Sequence, residues 1–155
     1  MRLEGEPDLD ITKVEVESEY RVGEELPSSK SAQILIHYNA YRDIGKVHMS
    51  LFIVRSDGLI CCMMRTQLND VLLNIEGGKG VIRAELKPLQ LISGTYFVEA
   101  WFLNESDSMP ISAQPSRSDW FSVKGCGRSH EQSSGVYEPF VNWQHVADSQ
   151  ISAIV

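Results

Sequence analysis

The chain has no apolar run long enough to cross a bilayer as a helix. About 20 residues are needed, and the runs here, such as Ile34 to Ile36 and Leu51 to Val54, are strand-sized. The first residues, Met-Arg-Leu-Glu-Gly-Glu, are charged and hold no hydrophobic signal core, so no secretory peptide is expected. Cysteine is scarce: Cys61, Cys62 and Cys126, an odd set with two adjacent. That argues against a disulfide framework, and zinc would need a second pair at ligand spacing. Neighbouring strand residues point to opposite faces, so at most one of Cys61 and Cys62 is expected to face a core. The expectation is reduced thiols in a cytoplasmic protein. Positive charge is also short. Fourteen Lys and Arg stand against 21 Asp and Glu, a formal net charge of -7. That field disfavours DNA, RNA and anionic membrane surfaces. A neutral ligand or a protein partner fits it better.

Catalytic signatures are missing too. Gly77-Gly78-Lys79-Gly80 looks superficially like a phosphate loop, but Leu73 stands where the first glycine belongs and Gly80 where Ser or Thr belongs. A turn is the better reading. There is no Gly-x-Ser-x-Gly elbow. His37, His48, His130 and His145 are scattered, without the helical two-histidine spacing of a metal site. Asn104-Glu105-Ser106 matches a glycosylation acceptor by chance. No catalytic residue, metal ligand set or cofactor is therefore expected.

What the chain does have is strand periodicity. Its 155 residues, 43% hydrophobic and 23% charged, suit one globular domain. Residues 1–8 read as a linker remnant, 9–146 as a β-sandwich and 147–155 as a flexible tail. Asp10 to Val16 alternates, although Ile11 breaks the phase. Tyr20 to Lys30 reads as a loop. Ala32 to Tyr41 is the cleanest strand: Ala32, Ile34, Ile36, Tyr38 and Ala40 form a core face. Val47 to Arg55, the Ser56-Asp57-Gly58 turn and Leu59 to Thr66 form a hairpin. Leu68 to Glu76 is ambiguous, with one helical turn open to it, and Gly77 to Gly80 ends it. Val81 to Leu86 and Thr95 to Leu103 are further strands. Asn104 to Arg117 is a polar loop, Asp119 to Val123 a short strand, and Val136 to His145 too apolar for a loose tail. About eight strands with almost no amphipathic helix predict an all-β, immunoglobulin-like antiparallel β-sandwich.

The aromatic residues suggest a surface. Tyr41, Phe97 and Trp101 fall on the non-core faces of the two strongest strands, alternating with His37, Asn39 and Glu99. A flat ring beside amide and carboxylate groups suits a sugar, whose C–H face stacks while its hydroxyls find donors and acceptors. Met63 and Arg65 are placed on a neighbouring strand. In this reading Tyr41 and Trp101 stack, and His37, Asn39, Arg65 and Glu99 read hydroxyls. The competing reading has Trp101 packed under a loop or a partner chain. Trp120 and Trp143 read as core or interface anchors.

The ordered series Ala-Gln-Ile-Leu-Ile-His-Tyr-Asn-Ala (32–40), Ser-Asp-Gly (56–58), Leu-Gln-Leu-Ile-Ser-Gly-Thr-Tyr-Phe-Val (89–98), Trp-Phe-Ser-Val (120–123) and Gly-Val-Tyr-Glu-Pro-Phe-Val-Asn-Trp (135–143) resembles the C-terminal domain of Wzt-type ATPases, which power export of bacterial O-antigen polysaccharide. The resemblance implies a noncatalytic, immunoglobulin-like module that recognises O-antigen polysaccharide at the cytoplasmic face of the inner membrane. It implies as partners an ATP-binding domain of the same full-length chain and a membrane permease, and not nucleic acid. A homodimer through segment 136–143 is expected. The alternative is a protein-interaction sandwich that binds no glycan.

Overall fold

Ten strands form among the described residues, because alternating apolar residues need a common core and the segments between them carry turn chemistry. They are β1 (Leu9–Glu17), β2 (Glu25–Pro27), β3 (Ala32–Ala40), β4 (Gly45–Arg55), β5 (Ile60–Arg65), β6 (Leu73–Ile75), β7 (Gly78–Leu86), β8 (Gly94–Leu103), β9 (Ser116–Arg117) and β10 (Phe121–Lys124). This computed structural model describes residues 8–106, 109–111, 116–125, 135–137, 142–145 and 147. Residues 1–7, Cys126, His130, 138–141 and 148–155, all covered by sequence expectations, lie outside the described residues.

Two sheets face each other. The smaller has the order β1-β3-β7, and the larger β2-β10-β8-β4-β5, with β6 added to β4 and β9 to β8. Among the described residues, all pairings between strands are antiparallel except β2 with β10. This is an all-β, immunoglobulin-like sandwich. Its core joins Ile34 and Ile36 of β3 to Tyr96, Val98, Ala100 and Phe102 of β8, all 0% exposed. Tyr38 meets Phe102 edge-on at 6.0 Å. At the start of β8 the buried Tyr96 hydroxyl donates to the Ile92 carbonyl at 2.8 Å. That is the tyrosine corner of immunoglobulin-like folds.

Several expectations change. The expected loop from Tyr20 to Lys30 contains β2, whose Leu26 is fully buried. Leu68–Glu76 divides into a 3-10 turn at Gln67–Asn69 and the short β6. The loop after Asn104 returns to the sheet as β9. Gly78 to Gly80 belong to β7 and are not a turn. Gly80 faces Tyr38 across the β3–β7 pair, and a Cβ there would clash with the hydroxyl end of the Tyr38 side chain. The glycine makes room for the aromatic. The phase break at Ile11 is a register shift between β1 and β3. A second shift, where β4 pairs β5 near Cys61, lets both adjacent cysteines pack against the core. Both are free thiols, and burial pushes both pKa values up.

Arg55 closes the β4–β5 hairpin. It is 5% exposed. Its Nε and Nη2 donate to Asp57 Oδ1 and Oδ2 at 3.0 and 2.7 Å, and its Nη1 donates to the Gly135 carbonyl at 2.9 Å. Two more contacts hold the strap 135–137. The Ile92 amide donates to the Val136 carbonyl at 3.3 Å, and Gln90 Nε2 donates to the Tyr137 hydroxyl at 3.1 Å. The Arg55 guanidinium pulls the Asp57 carboxyl down to about 2 from its ordinary 3.8.

Two outcomes are expected. Gly80→Ala should lower unfolding stability in urea by about 1–3 kcal/mol through overpacking. In the background of Tyr38→Ala that loss should shrink, which a double-mutant cycle would measure. Asp57 has a depressed folded pKa, so its contribution is present above the unfolded value and lost as pH falls toward the folded one. The thermal midpoint of the native chain should therefore exceed that of Asp57→Asn near neutrality, and the gap should close as pH falls from about 4 to about 2.

Candidate functional site

Strand β8 sends alternate residues to opposite sides, so burial of Tyr96, Val98, Ala100 and Phe102 forces Phe97, Glu99 and Trp101 onto the outer face of the larger sheet. Register with β4 and β5 places other side chains beside them. Trp101 lies opposite Ser50, which lies opposite Arg65. Glu99 lies opposite Phe52, which lies opposite Met63. Leu103 and Pro110, bridged by backbone pairing, flank the Trp101 end. Ser50, Phe52, Arg65, Glu99, Trp101, Leu103 and Pro110 enclose a shallow depression of about 300 Å³.

Two features make this depression a built surface. Trp101 Nε1 donates to Glu99 Oε2 at 3.3 Å, and Arg117 Nε donates to Glu99 Oε1 at 3.0 Å. The carboxylate thus orients the indole ring while a guanidinium balances its charge. The Arg117 guanidinium also lies over the Phe97 ring, 5.0 Å from its centroid. Second, Ser50 is 2% exposed, yet its hydroxyl has no hydrogen-bond partner among the described residues. A buried hydroxyl left unpaired is unfavourable by about 1–3 kcal/mol. A ligand hydroxyl entering the depression would supply the missing partner.

The predicted residues do not all meet. Met63, Arg65, Phe97, Glu99 and Trp101 share this face. His37 and Asn39 belong to β3 and Tyr41 follows it, on the outer face of the smaller sheet, across the core. The single platform expected from these eight residues is therefore two surfaces, because strands of equal periodicity joined opposite sheets. Tyr41 is also engaged locally. Its hydroxyl donates to Asp10 Oδ2 at 2.9 Å, whereas His37 Nε2, 3.5 Å from Glu15 Oε1, has no hydrogen-bond partner among the described residues. The Lys13 ammonium, 2.7 Å from Glu15, holds that carboxyl below its usual range.

Sequence reasoning missed Ser50, Phe52 and Arg117. The first two sit on β4, which is buried on both faces and so shows no clean alternation. Arg117 fell in a segment read as a loop. Trp120 and Trp143 are not core anchors: they are 58% and 87% exposed. Trp120 meets Phe97 edge-on at 4.9 Å. Among the described residues, no group of three or more His, Cys, Asp and Glu could hold a metal ion.

The sequence model of the Wzt C-terminal domain family matches residues 2–113. No curated protein matches the chain. Among solved structures, the crystal structure of the C-terminal domain of Wzt is similar over 92% of this chain and 86% of that chain, with a TM-score of 0.68 and 17% identity. A β-glucuronidase of glycoside hydrolase family 2 is similar over 71% of this chain and 12% of that one, at 19% identity and a TM-score of 0.47. A CARDB domain from Pyrococcus furiosus is similar over 78% and 90%, at 17% identity and a TM-score of 0.42.

Glu99→Gln removes the charge that Arg117 balances and keeps an acceptor for only one of the two donors. The indole should become less ordered. Time-resolved tryptophan anisotropy should show faster local motion than in the native chain, and Trp101→Phe should remove that difference.

Proposed function

Since the chain belongs to the Wzt C-terminal domain family, we propose that it is a noncatalytic module that recognises bacterial O-antigen polysaccharide for export by an ABC transporter. The observation that carries this reading is the oriented indole of Trp101 beside the unpaired Ser50 hydroxyl in an open depression. A sugar ring stacks its C–H face on the indole, and its hydroxyls meet Ser50 and Arg65 at the floor. Met63 and Phe52 supply apolar contact along the same face. Glu99 acts chiefly as a positioning group, since both of its oxygens already accept hydrogen bonds. His37, Asn39 and Tyr41 lie outside this site.

In this function the partners are the polysaccharide, an ATP-binding domain of the same full-length chain and a membrane permease. The module works at the cytoplasmic face of the inner membrane. No described helix is long and apolar enough to cross a membrane. A homodimer through segment 136–143 accompanies this assignment. Residues 138–141 lie outside the described residues, while Tyr137 pairs with Leu91 of the same chain. The formal charge of -7 favours an uncharged glycan and opposes nucleic acid.

Calorimetric titration of the purified chain with the O-antigen polysaccharide of its source bacterium tests the proposal. Binding of modest affinity is expected, since a hydrated, flexible glycan must be ordered and stripped of water. Trp101→Ala should weaken it by about tenfold or more, and His37→Ala should leave it unchanged. Absence of binding by the native chain would favour the protein-interaction sandwich instead.

A further inference from the structure

The outer face of the larger sheet does not end at the depression. Between β9, paired with Glu99 and Ala100, and β10, paired with Gly94 to Tyr96, the chain leaves regular pairing at Ser118 to Trp120. The Ser118 amide donates to the Val98 carbonyl at 2.8 Å, which pins this short bulge beside β8. Trp120 therefore stands out from the sheet, 58% exposed, with its ring held edge-on by Phe97. An unbroken series of contacts runs from one indole to the other. Trp101 bonds Glu99, Glu99 bonds Arg117, Arg117 covers Phe97, and Phe97 meets Trp120.

Beyond Trp120 lies a cleft of about 380 Å³ between β1 and β10. Its walls carry Glu15, Glu17, Glu24 and Asp119 against Lys13 and Arg21. The cleft thus offers an aromatic wall, many hydrogen-bonding groups and a negative balance. Uronic or phosphorylated sugars are repelled there, and uncharged sugars are not. Phe97 and Trp101 are four residues apart on β8, a separation of about 13 Å. The two indoles are consequently too far apart to hold one sugar ring and well placed to hold separate rings of one polymer.

We propose that Trp120 and its cleft form a second stacking subsite for an uncharged polysaccharide, which lies along β8 from Trp101 to Trp120 instead of crossing the sheet. This rests on Trp101 being a sugar platform, as assigned above. Two linked subsites bind a polymer more tightly than either alone, because the second contact is made at high effective concentration. Affinity should therefore rise with glycan length until both indoles are reached.

The test uses the source bacterium's O-antigen polysaccharide, cleaved by mild acid and sorted by size, titrated into the full chain. Monosaccharide and disaccharide fragments should bind the native chain and Trp120→Ala alike. Longer fragments, which span the roughly 13 Å between the subsites, should bind Trp120→Ala about tenfold more weakly than the native chain. Trp120→Leu, which keeps apolar packing on Phe97 but has no flat ring, should lose as much, and Trp120→Phe should recover part of the loss. The subsite is overturned if Trp120→Ala keeps the native dependence on length, or if it weakens short and long fragments equally. Trp101→Ala separates the two ideas. If it binds every fragment like the native chain, the platform assignment falls, whatever Trp120 does.

Discussion

The period-two alternation of β8 is the constraint on which the rest depends. One set of its side chains is fully buried and sets the distance between the sheets. The other set has no freedom about where to go. Phe97, Glu99 and Trp101 must stand on the outer face, and pairing with β4 decides that Ser50 and Phe52 stand beside them. The outer surface is thus determined by the packing of the inner one. It owes little to loop conformation, which distinguishes it from sites carried on mobile connections.

Electrostatics explain why the two outer faces differ. On the smaller sheet, Lys13 pairs with Glu15 along β1 and the Tyr41 hydroxyl donates to Asp10, so these carboxylates orient no indole. On the larger sheet one carboxylate, Glu99, gathers an indole N–H and a guanidinium. Its charge is thereby spent on orienting an aromatic ring. The nearby Ser50 hydroxyl is left over, desolvated by the large side chains around it. An ordered apolar ring next to an unmet hydroxyl favours a ligand that is both apolar in face and rich in hydroxyls.

Much of this was legible in the sequence, and the losses have definite causes. The faces of β3 and β8 follow from alternation and were read as they stand. The irregularity at Ile11 was visible as a broken phase, and it is a register shift. Periodicity does not say which strands share a sheet, since that depends on pairing between distant segments. That is why His37, Asn39 and Tyr41 were grouped with Trp101. β2 and β9 are too short to show a period. Gly80 looked like part of a turn because its reason for being glycine, the Tyr38 ring, sits on another strand. Family likeness carried the step to function, which fold alone would not have supplied.

The straightness of a strand-built surface has a consequence for how such a module can diversify. Inward and outward residues of β8 are neighbours in the chain but answer to different demands. A codon change at Phe97, Glu99 or Trp101 alters what the molecule meets outside and leaves the contacts of Tyr96, Val98, Ala100 and Phe102 in place. The outer surface can therefore change by single outward substitutions that leave the packing between the sheets in place. A surface built in this way can vary at little risk to the integrity of the scaffold beneath it.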